Sequence, residues 1–99
     1  MKFGLSEEEY KLLDIKCIHP LKALGAKVWI FGSRARGDYK EASDIDVLYE
    51  AGPTMGWATL GKIESALDES RLPYKVDLVD FKNLAESYKE GVLIERVEV

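Results

Sequence analysis

Three short runs of β-branched and aromatic residues constrain this chain most: KVWIF at 27–31, IDVLY at 45–49 and KVDLV at 75–79. Each is too brief for a core helix, and each is bounded by Gly, Pro or charged residues, which is the pattern of buried strands. The stretches around them have helical spacing. Ser6 and Glu9 have the spacing of a capping box, with Leu5 and Tyr10 placed as a hydrophobic staple. Tyr10, Leu13 and Cys17 then mark one face of a first helix, which Pro20 should break or kink near Ile18. Leu21 to Leu24 adds a turn. The spacing predicts a second helix from Thr54 to Glu69, after a stop at Gly52-Pro53. A third is expected from Phe81 to Glu90, followed by Gly91, and Val92 to Val99 forms a fourth strand or an extended tail. The order α-β-β-α-β-α-(β) implies an α/β (α+β) fold, a small mixed sheet with helices packed on one face. At 99 residues the chain fits a single domain spanning 1–99.

The first two strands are joined by GSRARGDYKEASD at 32–44, longer than a simple hairpin loop needs. Asp44 and Asp46 sit at the start of the second strand. Residues i and i+2 of a strand project to the same side, so the two carboxylates share a side and Ile45 faces the core. Two like charges about 4 Å apart at an effective dielectric near 20 repel by about 4 kcal/mol. Such a pair is solvated, shares a proton or holds a cation. KVDLV places Asp77 inside an otherwise apolar strand, where propensity and desolvation both disfavour it. If the second and third strands are neighbours, three carboxylates meet, and an all-oxygen set suits Mg²⁺ or Mn²⁺ rather than zinc. The alternative is a solvated strand end. Asp80 has the opposite parity to Asp77 and reads as a cap or loop residue.

Gly32-Ser33 follows the first strand directly. Glycine lets the backbone approach a ligand closely, and the serine hydroxyl with nearby amides can hold phosphate oxygens. The Walker pattern G-x-x-x-x-G-K-[ST] is absent. Arg34 and Arg36 supply positive charge for a triphosphate, or serve as surface partners of Asp38 and Glu41. The net charge of −4 offers no general field for nucleic acid, so phosphate contacts must be local. One cysteine and one histidine exclude an internal disulfide and a multi-cysteine zinc site. The first residues lack an apolar signal region and no run approaches membrane length, so a cytoplasmic protein is expected.

Gly32-Ser33, ten intervening residues and Asp44-Ile45-Asp46 resemble the signature of the polymerase-β-like nucleotidyltransferase superfamily. The longer string GSRARGDYKEASDIDV, with KVDLV downstream, is similar to its small stand-alone branch, the minimal nucleotidyltransferases. The resemblance covers about residues 25 to 82. It implies a nucleotidyltransferase core in which Asp44 and Asp46 bind two Mg²⁺ ions and Asp77 completes the site. Gly32 and Ser33 would contact the nucleotide's terminal phosphates, with ATP as substrate. It further implies a HEPN-domain toxin as partner, with this chain as the antitoxin that adds AMP to a tyrosine of the toxin. Larger relatives carry a further domain that grips the base and the acceptor. This chain is expected to depend on a partner or on self-association for that, with Trp57, Tyr39 and Tyr88 weighed as contact residues but read first as packing. The competing expectations are a binding module that neutralises its partner by contact alone, and nucleotidyl transfer to a small molecule; RNA is the least expected acceptor.

Overall fold

Ser6 starts the first helix as its sequence requires. In the computed structural model, which describes residues 2–52 and 56–99, the Ser6 hydroxyl accepts from the Glu9 amide at 3.1 Å. The Glu9 carboxylate accepts from the Ser6 amide at 2.8 Å. Helix α1 runs Glu7–Leu13 and passes into a π-helical segment, Asp14–Ile18, and then into α2, His19–Ala23. Pro20 therefore does not break the helix near Ile18. The physical reason lies one turn earlier: the His19 amide donates to the Asp14 carbonyl, five residues back. The widened turn gives the Pro20 ring the room that an α-helical carbonyl four residues before it would have taken.

Strands β1 (Lys27–Phe31), β2 (Ile45–Glu50), β3 (Val76–Asp80) and β4 (Val97–Glu98) form one mixed sheet in the order β3-β2-β1-β4. β1 pairs antiparallel with β2 and with β4, and β2 pairs parallel with β3. The parallel pair needs a crossover, supplied by α4, Trp57–Asp68. Thr54 and Pro53, where the sequence reading started that helix and stopped the second strand, lie outside the described residues. A four-residue turn of helix, α3 (Ser33–Arg36), follows β1.

Strand parity divides the core in two. Val28, Ile30, Ile45, Val47 and Tyr49 face α1, the π segment, α2 and α4, where Leu13, Cys17, Leu21, Ile63 and Leu67 are buried. The other side of the sheet carries Trp29 and Leu48, which pack against Val92 of α5, Glu86–Glu95. Helices thus cover one face broadly, and α5 adds a smaller layer to the second. Fully buried residues such as Ile30 and Leu48 each contribute about 1.5–3 kcal/mol relative to exposure.

The C-terminal third differs from its sequence reading. Phe81–Asn83 is a single 3-10 turn capped by Asp80, whose carboxylate accepts from the Lys82 amide at 3.0 Å. The helix begins only at Glu86 and runs through Gly91 to Glu95, leaving β4 two residues long. Val92 explains the shift: its burial against Trp29 and Leu48 outweighs the modest cost of an exposed glycine in a helix. Among the described residues no helix is long and apolar enough to cross a membrane.

Candidate active site

Gly32 continues β1 into α3 with φ 76° and ψ −159°, a conformation that in effect only glycine adopts. A β-carbon at this position would collide with Oδ2 of Asp46. Sheet pairing causes this closeness, because Phe31 is registered opposite Asp46 and the next residue is the turn. On the other side of β2, Asp46 is the register partner of Asp77. Register partners project to the same side of a sheet, here the side of α5 and Trp29. Asp44 stands exposed just before β2. The fold therefore gathers Asp44, Asp46 and Asp77 at one end of the β2–β3 pair, beside Gly32-Ser33.

The electrostatics follow from that crowding. Asp46 is pushed up to about 6, first by its burial, then by the charges of Asp77 and Asp44, with Glu95 adding and Arg36 opposing. Asp77 meets Lys75 Nζ at 3.5 Å. Among the described residues, neither Asp44 nor Asp46 has an ion-pair partner. No three acidic, histidine or cysteine side chains among them stand close enough to share one cation as placed. Three like charges with nothing between them repel, and of these Lys75 engages Asp77 alone. The donor set nevertheless has the chemistry of a hard divalent cation site: carboxylate oxygens only, with uncompensated charge centred on a half-buried member.

The two arginines part company. Arg36 is exposed, donates from Nη1 to Glu95 at 2.9 Å and pairs with Asp38 at 3.3 Å. It lines the same cleft as Gly32, Ser33 and Asp46. Arg34, expected as a triphosphate contact, is buried on the opposite side. Its Nε donates to the Ser43 carbonyl at 3.0 Å and its Nη1 to the Phe3 carbonyl at 2.9 Å. Its guanidinium stacks 4.3 Å from the Tyr74 ring and 5.3 Å from that of Tyr39. The correction has a geometric cause. Residues two apart on a helical turn do not share a face, so α3 can aim only one of the pair at the cleft. Arg34 instead ties the amino-terminal turn, the 37–44 loop and the approach to β3 together, and it holds the residue next to Asp44.

The cleft has a volume of about 510 Å³ and sets the polar groups Gly32, Ser33, Arg36, Asp46 and Glu95 against Val79, Leu84, Tyr88 and Val92. Tyr88 and Trp57, read first as packing, are exposed, Trp57 at 92%; Tyr39 does pack, on Arg34. Glu95 is the participant that sequence reasoning missed. It lies 63 residues beyond Gly32 yet accepts from the Gly32 amide at 3.2 Å. The signal available was Glu95 on the face of α5 that also carries Val92 and Tyr88, legible only once the helix is known to run past Gly91.

Comparison with known proteins gives the chain a family. The family described as Polymerase beta, Nucleotidyltransferase matches residues 16–99. The chain is 33% identical over 96 residues to MJ0435 of Methanocaldococcus jannaschii, whose name is that of a protein adenylyltransferase; the match covers 97% of this chain and 98% of MJ0435. It is 35% identical over 63 residues to MntA of Haemophilus influenzae, which carries the same activity in its name, covering 64% of this chain and 55% of MntA. It thus spans nearly all of one relative and about half of the other. One solved neighbour is a toxin–antitoxin complex with AMP-PNP, with a TM-score of 0.66 at 25% identity, over 86% of this chain and 70% of that one. Another is a tri-AMPylated HEPN toxin in complex with an MNT antitoxin from Shewanella oneidensis, with a TM-score of 0.55 at 25% identity, over 89% and 69%. With a family match over most of its length and a relative aligned end to end, this chain belongs to the polymerase-β nucleotidyltransferase family.

Proposed function

We propose that the chain is a cytoplasmic protein adenylyltransferase that moves AMP from ATP to a tyrosine hydroxyl of a HEPN-type toxin, and so acts as its antitoxin. The observation that carries this reading is the in-register Asp46–Asp77 pair abutting Gly32, joined to the adenylyltransferase names of the relatives and the AMPylated toxin in the Shewanella complex. Asp44, Asp46 and Asp77 would hold two Mg²⁺ ions, or Mn²⁺, which when bound would neutralise phosphate charge and favour the ionised acceptor hydroxyl. The Gly32 amide and the Ser33 hydroxyl would hold terminal phosphate oxygens, with Arg36 beside them. The acceptor oxygen bonds to the α-phosphorus, the bond to the β-phosphate's bridging oxygen breaks, pyrophosphate leaves, and the hydroxyl proton passes to a carboxylate of the cluster. Asp46 orients this end of the site, since its carboxylate is wedged against the turn.

The test is label transfer to the co-expressed partner. Label from α-labelled ATP should enter the partner and label from γ-labelled ATP should not; transfer from the γ position would make the chain a kinase and end the reading. Exposed Trp57 and Ile94, at 92% and 81%, support a second reading, in which the chain neutralises its partner by contact alone. The variant carrying both Asp44→Asn and Asp46→Asn separates the two: full neutralisation in cells by that variant would show that catalysis is dispensable.

A further inference from the structure

The last residue of α5 is an acid in a place that helix electrostatics disfavours. Glu95 sits at the negative end of the helix dipole, and the last turn of α5 holds no basic residue to offset it. Its side chain is nonetheless mostly buried, 19% exposed. What holds it there is the turn across the cleft. One oxygen accepts from the Gly32 amide at 3.2 Å and the other accepts from Arg36 Nη1 at 2.9 Å. The backbone on either side fixes this reach. Val92, one turn back, is buried on Trp29 and Leu48, and Arg96, the next residue, stacks 4.2 Å from the Trp29 ring.

Both donors are thus bridged by a single carboxylate, and the same cleft wall carries Ser33 and Asp46. We propose that Glu95 is an internal stand-in for substrate phosphate, seated on the Gly32 amide and Arg36, and that nucleotide binds by displacing it. The proposal rests on the nucleotidyltransferase reading of the cleft and names a residue that sets affinity within it. The Gly32 amide has one hydrogen to give and Glu95 holds it, and a second anion brought against the Glu95 carboxylate is strongly disfavoured. A triphosphate arriving at Gly32-Ser33 must therefore turn the Glu95 carboxylate out toward solvent and take over Arg36. Asp38, on the other edge of Arg36 at 3.3 Å, can stay in place and keep the guanidinium aimed at the cleft. The ligand class this seat accepts is a polyphosphate, since the recognised groups are anionic oxygens and not a base or a sugar.

Calorimetric titration of the folded chain with MgATP and, separately, with inorganic tripolyphosphate reads this out. Glu95→Gln keeps the shape and removes the charge, and it should bind both ligands about tenfold more tightly than the wild-type chain. Glu95→Asp, which keeps the charge but shortens the reach, should gain less. Adding Arg36→Ala to Glu95→Gln should abolish the gain, because the released donor is then missing. Wild-type binding of MgATP with equal or weaker binding by a folded Glu95→Gln variant would make Glu95 a brace for Arg36 and overturn the proposal, leaving the assigned activity untouched. Absence of MgATP binding by wild type and variants alike would remove both.

Discussion

Asp46 is half-buried among Asp77, Asp44 and Glu95 with Arg36 opposing them, and these surroundings make its ionisation measurable. Its carboxyl stands at about 6 in the folded chain against an ordinary 3.8, so the native state keeps this proton over a range where the unfolded chain has released it. Folding is therefore favoured by this group at low pH. In chelator-treated protein its contribution should fall as pH rises from about 4 to about 6 and level off above that. Subtracting the stability profile of Asp46→Asn from that of the wild type, by denaturant titration, should show that fall; a difference profile that is flat or rises across the window would contradict it. Arg34 makes the opposite point about reading residues singly. The sequence shows two arginines in a phosphate-like turn but not which way α3 rotates, and burial decides that Arg34 is internal. Arg34→Ala should cost about 1–3 kcal/mol by leaving the Ser43 and Phe3 carbonyls without their donor, and Arg34→Lys should recover only part of it, because lysine lacks the planar fork that reaches both. Chemical denaturation of both variants checks the order. The neighbourhood of Asp46 and Asp77, by contrast, was legible, because a period-two argument needs only the strands, and those announce themselves.

At the level of elements, α5 departs most from its sequence. Gly91 looks like a terminator, and it would be one if the helix began at Phe81. The start moves to Glu86 because Asp80 and Phe81–Asn83 close a 3-10 turn first, and the end moves with the burial of Val92. The first event has a local mark in Asp80, which caps the 3-10 turn; the second has none, since it depends on a sheet face that exists only after β1 and β2 have paired. Gly91 is exposed, and a β-carbon there meets nothing within 4 Å. Gly91→Ala should therefore stabilise the fold by about 0.5–1 kcal/mol, seen as a higher melting temperature with unchanged nucleotide binding. The π segment ahead of Pro20 was likewise invisible. A proline inside a helical pattern predicts a break, and only the His19-to-Asp14 bond shows how the chain carries on past it.

On the scale of the whole molecule, the site belongs to no single element: Gly32 follows β1, Asp44 precedes β2 and Asp46 lies within it, β3 brings Asp77 and α5 brings Glu95. A ligand held at Gly32 and, through its metal, at the three aspartates should tie the three strands together. MgATP at a hundredfold excess over its dissociation constant should raise stability by about 2.7 kcal/mol. Asp77→Asn should reduce that gain while leaving the metal-free protein at least as stable, because one member of a repelling cluster is gone; thermal melts with and without MgATP measure both. The order of assembly has a consequence of its own. β1 and β2 are near in sequence and can pair early, whereas β3 reaches β2 only after the whole α4 crossover has been laid down, a closure that is slow because its ends lie far apart along the chain. Asp46 and Asp77 consequently become neighbours only after that crossover closes, and Glu95 takes its place later still, when the chain beyond α5 pairs β4 with β1 across a longer stretch. A partly opened copy holds only part of the proposed site, so binding of nucleotide would itself report that the sheet and α5 are both in place.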